Sequence, residues 1–135
     1  MKIIHTLFAF AVLSLSTQHA RSADTEGHFW LGGGTGGVMC PQFVASMEKA
    51  RSLGIDSVGY ATETQGYLMY LLGFQTGYNM STKDTCDIFP SEEKAYSLLS
   101  WAENYCRENA SSRFADGVVA LSKNRHPKRL RVCSK

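Results

Sequence analysis

The chain has 135 residues, with 14 Lys and Arg, 12 Asp and Glu, and four cysteines. That length fits one domain with a modest core. The near balance of charge lacks the electrostatic footprint of a nucleic-acid binder, so the basic run RHPKRLR, Arg125 to Arg131, is not read as a phosphate-contacting element.

Met1 to Ser22 has the parts of a signal peptide. Lys2 supplies the charged start, and Ile3 to Leu15 is an apolar run broken by His5, Thr6 and Ser14. Ala20-Arg21-Ser22 then places small residues where a signal peptidase reads them, with cleavage expected after Ser22. Cleavage after Ala23 would place Arg21 at an unfavourable position. The run is too short and too polar at its edges to serve as an anchor of roughly 20 apolar residues, and no later segment could span a membrane. The exported remainder of about 113 residues carries twelve basic and twelve acidic side chains. Its charge is polarised: Ser122 to Lys135 holds six basic residues and no acid. The expected location is the periplasm, or outside the cell.

Ala23 to Met39 reads as a flexible glycine-rich lead-in containing GGGTGG, Gly32 to Gly37. A phosphate-cradling loop would need a Lys-Ser/Thr opening a helix; Val38-Met39-Cys40-Pro41 follows instead. The domain proper is expected over residues 40–135. Helix one is expected from Pro41 to Leu53, with Phe43, Val44, Met47, Ala50 and Leu53 at helical spacing and Gly54 as the stop. Ile55 to Thr64 is ambiguous.

Helix two is expected from Glu63 to Asn79, with Leu68, Leu71, Leu72 and Phe74 as its apolar body. Gly66, Gly73 and Gly77 share one face with Tyr70, although each glycine costs a helix about 1 kcal/mol relative to alanine. Close approach of another helix or chain end would offset that cost, as would a docking partner, including a second copy of the chain. Asn79 to Pro90 is a loop carrying Cys86. Ser91 is the expected cap of helix three, whose stripe is Ala95, Leu98, Leu99, Ala102, Tyr105 and Cys106; Glu103 is read as a solvated side chain off that stripe. Ser111 or Ser112 is expected to cap helix four, which buries Phe114, Val118 and Leu121 and ends near Asn124 before Pro127. The basic tail is a solvated end held by Cys133. No segment alternates with period two long enough to require a sheet, so the expected fold is a small all-α, four-helix domain stapled by two disulfides.

Cys40, Cys86, Cys106 and Cys133 are spaced by 46, 20 and 27 residues, without the close pairs of a zinc site. An exported small domain with four cysteines reads as disulfide-bonded, and four cysteines allow three connectivities. Cys40 opens helix one and Cys106 closes helix three, so that pair could tie adjacent helix ends and leave Cys86 for Cys133. His28 and His126, the histidines left after cleavage, both fall in end segments and read as exposed. No nucleophile elbow or paired-carboxylate site appears. The sequence therefore points to no catalytic residue, no metal ligand and no cofactor, and to a partner that is another protein.

Met39-Cys40-Pro41-Gln42-Phe43, with Tyr105-Cys106-Arg107-Glu108-Asn109 and Phe114-Ala115-Asp116, resembles the two cysteine-bearing segments of the HdeA/HdeB periplasmic acid-stress chaperones. That resemblance implies a Cys40–Cys106 bridge across a small helical fold and protection of unfolding envelope proteins in acid. GYLMYLLGF, TCDIFP, RHP and the near-terminal cysteine are similar in layout to periplasmic immunity proteins of type VI secretion systems. This second resemblance implies a Cys86–Cys133 bridge and inhibition of a peptidoglycan amidase toxin. The present chain departs from the chaperones in its second cysteine pair and its longer glycine-bearing second helix.

Overall fold

The computed structural model describes residues 34–90 and 94–133, all within one compact unit spanning residues 31–135. The expected signal peptide, His28 and the Ser91 cap lie outside the described residues. Among the described residues the fold is all-α. Four helices form, with two short 3₁₀ turns and two isolated antiparallel bridges.

Helix α1 is Cys40–Ser52. Pro41 sits in its first turn, where a missing N–H costs nothing. The chain leaves the helix through Gly54, whose φ of +91° belongs to the left-handed region that glycine adopts without strain. Helix α2 is Val58–Ser81, five residues longer at its start than expected. The ambiguous stretch resolves because Ser57 caps it, its Oγ accepting from the Tyr60 N–H at 3.0 Å. Helix α3 is Ala95–Glu108, with Lys94 at the cap position and no side-chain cap bond.

Helix α4 is Phe114–Arg125. Neither Ser111 nor Ser112 caps it. Arg113 holds the cap position, and the reverse half of a capping box closes the end: the Arg113 N–H donates to Asp116 Oδ2 at 2.8 Å.

The core forms where α1, α2 and α4 bring three aromatic rings together. Phe43 lies 4.7 Å from Tyr67 and 4.5 Å from Phe114, and the latter two are 5.1 Å apart, centroid to centroid. Leu71, Met47, Leu99, Val118 and Leu121 are buried around them. Helix α1 packs broadly on α2 and on α3, and α3 on α4, whereas α2 and α3 meet only narrowly.

Both disulfides, Cys40–Cys106 and Cys86–Cys133, are present. The first is buried in the core. The second lies at the surface and joins the loop after α2 to the tail. Their ring closures span 66 and 47 residues, each worth about 4 kcal/mol in the chain-entropy model.

The end of the lead-in differs from the expected linker. Thr35–Gly37 form a 3₁₀ turn, the Phe114 N–H donates to Val38 O at 2.9 Å, and the Cys40 N–H donates to Ser112 O at 2.9 Å. Gly36 is buried against Tyr70; a Cβ there would sit 2.3 Å from the ring. The glycines permit this close approach, so the domain starts before residue 40. The tail is also held by more than its cysteine. Leu130 exchanges backbone hydrogen bonds with Asp87, and the Arg129 guanidinium donates to Asp84 O, Thr85 Oγ1 and His126 O.

Gly36→Ala should therefore lower stability by about 1–3 kcal/mol, because the phenol ring must move out of a packed site. Gly73→Ala, at a helix position with nothing within 4 Å, should raise stability by about 0.5–1 kcal/mol. Urea unfolding of the two variants beside the parent checks both signs.

Candidate functional site: a buried carboxylate clasp and an apolar cleft

Glu103 is the polar residue that organises the α1–α3 contact. It is not solvated as the sequence reading held: the residue is 4% exposed. At 100° per residue it lies only about 40° from Leu99 around α3, on the flank of the apolar stripe rather than opposite it. Burying a carboxylate there requires partners, and two arginines supply them. Arg51, in the last turn of α1, donates from Nη1 to Oε2 at 2.6 Å and from Nη2 to Oε1 at 2.7 Å. This is the two-pronged geometry that makes Arg–carboxylate pairs strong and directional. Arg107, one turn further along α3, donates from Nη2 to Oε1 at 2.6 Å, and the same nitrogen reaches Glu48 Oε1 at 2.8 Å. A four-residue network thus joins α1 to α3.

Burial alone would raise the Glu103 carboxyl; the hydrogen bonds from Arg51 and Arg107 outweigh it and hold the group below the ordinary glutamate value. The bond to Glu103 correspondingly raises Arg51. Arg51 and Arg107 reach solvent, with side chains 39% and 44% exposed. The arrangement is charge-compensated.

The narrow α2–α3 meeting leaves a cleft of about 530 Å³. Val58, Tyr60, Ala61, Leu68, Tyr96 and Leu99 form its apolar walls, with Thr62, Thr64 and Gln65 as the polar lining. Among the described residues, none of those lining it carries a charge. Of its apolar walls, Val58 is 85% exposed and Tyr96 49%.

The four residues of the expected glycine face separate into two settings. At Gly66 a Cβ would meet Thr35 Oγ1 at 3.2 Å, so the lead-in covers that position. Tyr70 packs edge-on to Phe114 at 5.7 Å and against Gly36; burial, helped by Asp116, raises its hydroxyl above the ordinary value. Gly73 and Gly77 have nothing within 4 Å. Close approach of a chain end thus accounts for half of the face. His126 is half-buried rather than exposed, its Nδ1 2.7 Å from the Tyr78 hydroxyl. Among the described residues no cluster of His, Cys, Asp and Glu could hold a metal ion, and no helix is long and apolar enough to cross a membrane.

Sequence reasoning missed the clasp and the cleft. The signal for the clasp was present: Glu103 stands four residues after Leu99 and four before Arg107, the spacing of neighbours on one helix face. The cleft had no comparable signal, because it arises from how two helices diverge. No family model, curated protein or solved structure matches the chain.

Glu103→Gln should cost about 2 kcal/mol at neutral pH, less than breaking a fully buried pair because both guanidiniums reach water. The folded-state pKa is lowered, so the carboxylate stabilises the fold above its unfolded value, and that contribution disappears as pH falls through the folded value. Melting temperatures of parent and variant should accordingly differ most at neutral pH and converge in acid.

Proposed function

We propose that this chain is an exported, non-enzymatic protein-binding module whose role is HdeA-like protection of other envelope proteins under acid stress. The observation that carries this reading is the Glu103 clasp. A single buried carboxylate, held below its ordinary value, closes α1 onto α3. Strong acid discharges it and leaves Arg51 and Arg107 as facing cations without their common partner. The remaining carboxylates also lose charge, and the molecule becomes strongly positive and self-repelling. Packing then loosens around the apolar stripe of Leu98, Leu99 and Ala102, while two disulfides limit how far the chain opens. A loosened, apolar, highly charged and still soluble protein suits transient cover for unfolding neighbours.

The α2–α3 cleft supports a second reading, inhibition of a type VI secreted peptidoglycan amidase. A single tightly bound partner needs a surface already formed at neutral pH, and the cleft is one. Stacked Trp101 and Tyr105, with centroids 6.2 Å apart, lie away from this cleft and line a separate recess on α3 with Asn104 and Glu108.

The deciding measurement is light scattering from an envelope-protein extract taken to about pH 2 and returned to neutrality, with and without equimolar protein. Protection by the parent is expected. Glu103→Gln, which lacks the clasp charge throughout, should protect at a less acid pH than the parent does. Unchanged aggregation would overturn the protective role, and one-to-one binding of an amidase at neutral pH would then establish the second reading.

A further inference from the structure

The positive tail sits on a rigid end of the molecule. The Cys86–Cys133 bridge, the Asp87–Leu130 backbone pair and the Arg129 hydrogen bonds to Asp84 and Thr85 fix residues 129–133 against the loop after α2. Asn79, at the end of α2, reaches the same loop, donating to Asp87 Oδ1 and accepting from the Ile88 N–H. Met80 follows it directly, and Lys83 comes four residues after it. This end therefore gathers exposed cations, Lys83, Lys128 and Arg131, beside three large apolar side chains facing water. Met80 is 85% exposed, Val132 77% and Leu130 45%.

Among the described residues, the neighbouring acids do little to cancel this charge. Asp87 turns inward, where its Oδ1 accepts from Gln75, Asn79 and the Phe89 N–H. Among the described residues of this loop, Asp84 is the exposed acid. Exposed apolar residues among cations are costly against water alone, and they fit a surface that is anionic outside and apolar within.

We infer that the disulfide-stapled end formed by the loop after α2 and the basic tail is a docking surface for an anionic lipid bilayer. Lys128, Arg131 and Lys83 approach the headgroup charges, while Met80, Val132 and Leu130 enter the interfacial layer. This surface is independent of whichever protein partner the chain has, and it acts at neutral pH.

The test is co-sedimentation of the protein, purified after export, with vesicles of phosphatidylcholine alone or of phosphatidylcholine mixed with phosphatidylglycerol. Binding is expected to the mixed vesicles only, and to weaken as salt is raised. Lys128→Glu with Arg131→Glu should lower the partition coefficient at least ~10-fold. Met80→Ser with Val132→Ser should lower it as well, without altering the salt dependence. All four sites are exposed, and unchanged melting temperatures would show that the fold survives. Equal binding to both vesicle types overturns the proposal, as does no binding, or binding that either pair of substitutions leaves unchanged. Retention on DNA without vesicle binding would make the patch a polyanion site instead and also overturn it.

Discussion

Everything in this fold is referred to the junction at Cys40 and Cys106. There the start of α1, the end of α3 and the start of α4 meet within one covalent and hydrogen-bonded knot. The Cys40 N–H donates to Ser112 O, the Phe114 N–H donates to Val38 O, and the disulfide closes the third side. Phe43 and Phe114 leave this knot on successive turns of different helices and meet at 4.5 Å, with Tyr67 of α2 completing the cluster. A domain of this size buries a limited core, so tying three helix ends at one point removes much of the chain entropy that packing alone must otherwise overcome.

The same geometry gives α1 two kinds of attachment to α3. Its first residue is bonded covalently to Cys106. Its last turn is held through Arg51 to Glu103, one turn earlier on α3. The covalent attachment is indifferent to pH, and the ionic one depends on a carboxylate that acid neutralises. One end of α1 is therefore permanent and the other conditional. Fully buried ion pairs add little net stability over apolar residues of similar size. A partly solvated pair at this position confers a pH dependence that apolar packing would not.

How far the sequence could be read follows from which interactions are local. The helices were legible where their apolar positions recur on one face, as at Leu98, Leu99, Ala102 and Cys106, and the cysteine count with the expected export signal pointed to disulfides. The start of α2 was obscured because Val58 to Thr62 mixes glycine, tyrosine and threonine; its cap, Ser57, identifies itself only when the Tyr60 N–H is seen to need an acceptor. Glu103 was misread because charge outweighed position in a stripe whose flank it occupies. Its partner Arg51 lies 52 residues away, and no local pattern announces a pair formed by packing. The glycine-rich lead-in was misread for the complementary reason. Small residues suit a linker and also suit close approach, and only the Tyr70 ring beside Gly36 distinguishes the two.

Helix α2 explains how separate surfaces coexist on so small a domain. Its first turns, from Val58, border the cleft; its last turn carries Asn79 and Met80 to the stapled, cationic end. Twenty-two residues of α-helix separate Val58 from Met80, a distance of about 33 Å. A protein seated at the first and a charged surface meeting the second would not collide. The two ends also differ in kind. The described residues that line the cleft are uncharged, whereas the proposed docking at the cationic end would act through charges that salt screens within about 10 Å. The length of α2 would thereby keep the two proposed surfaces physically independent.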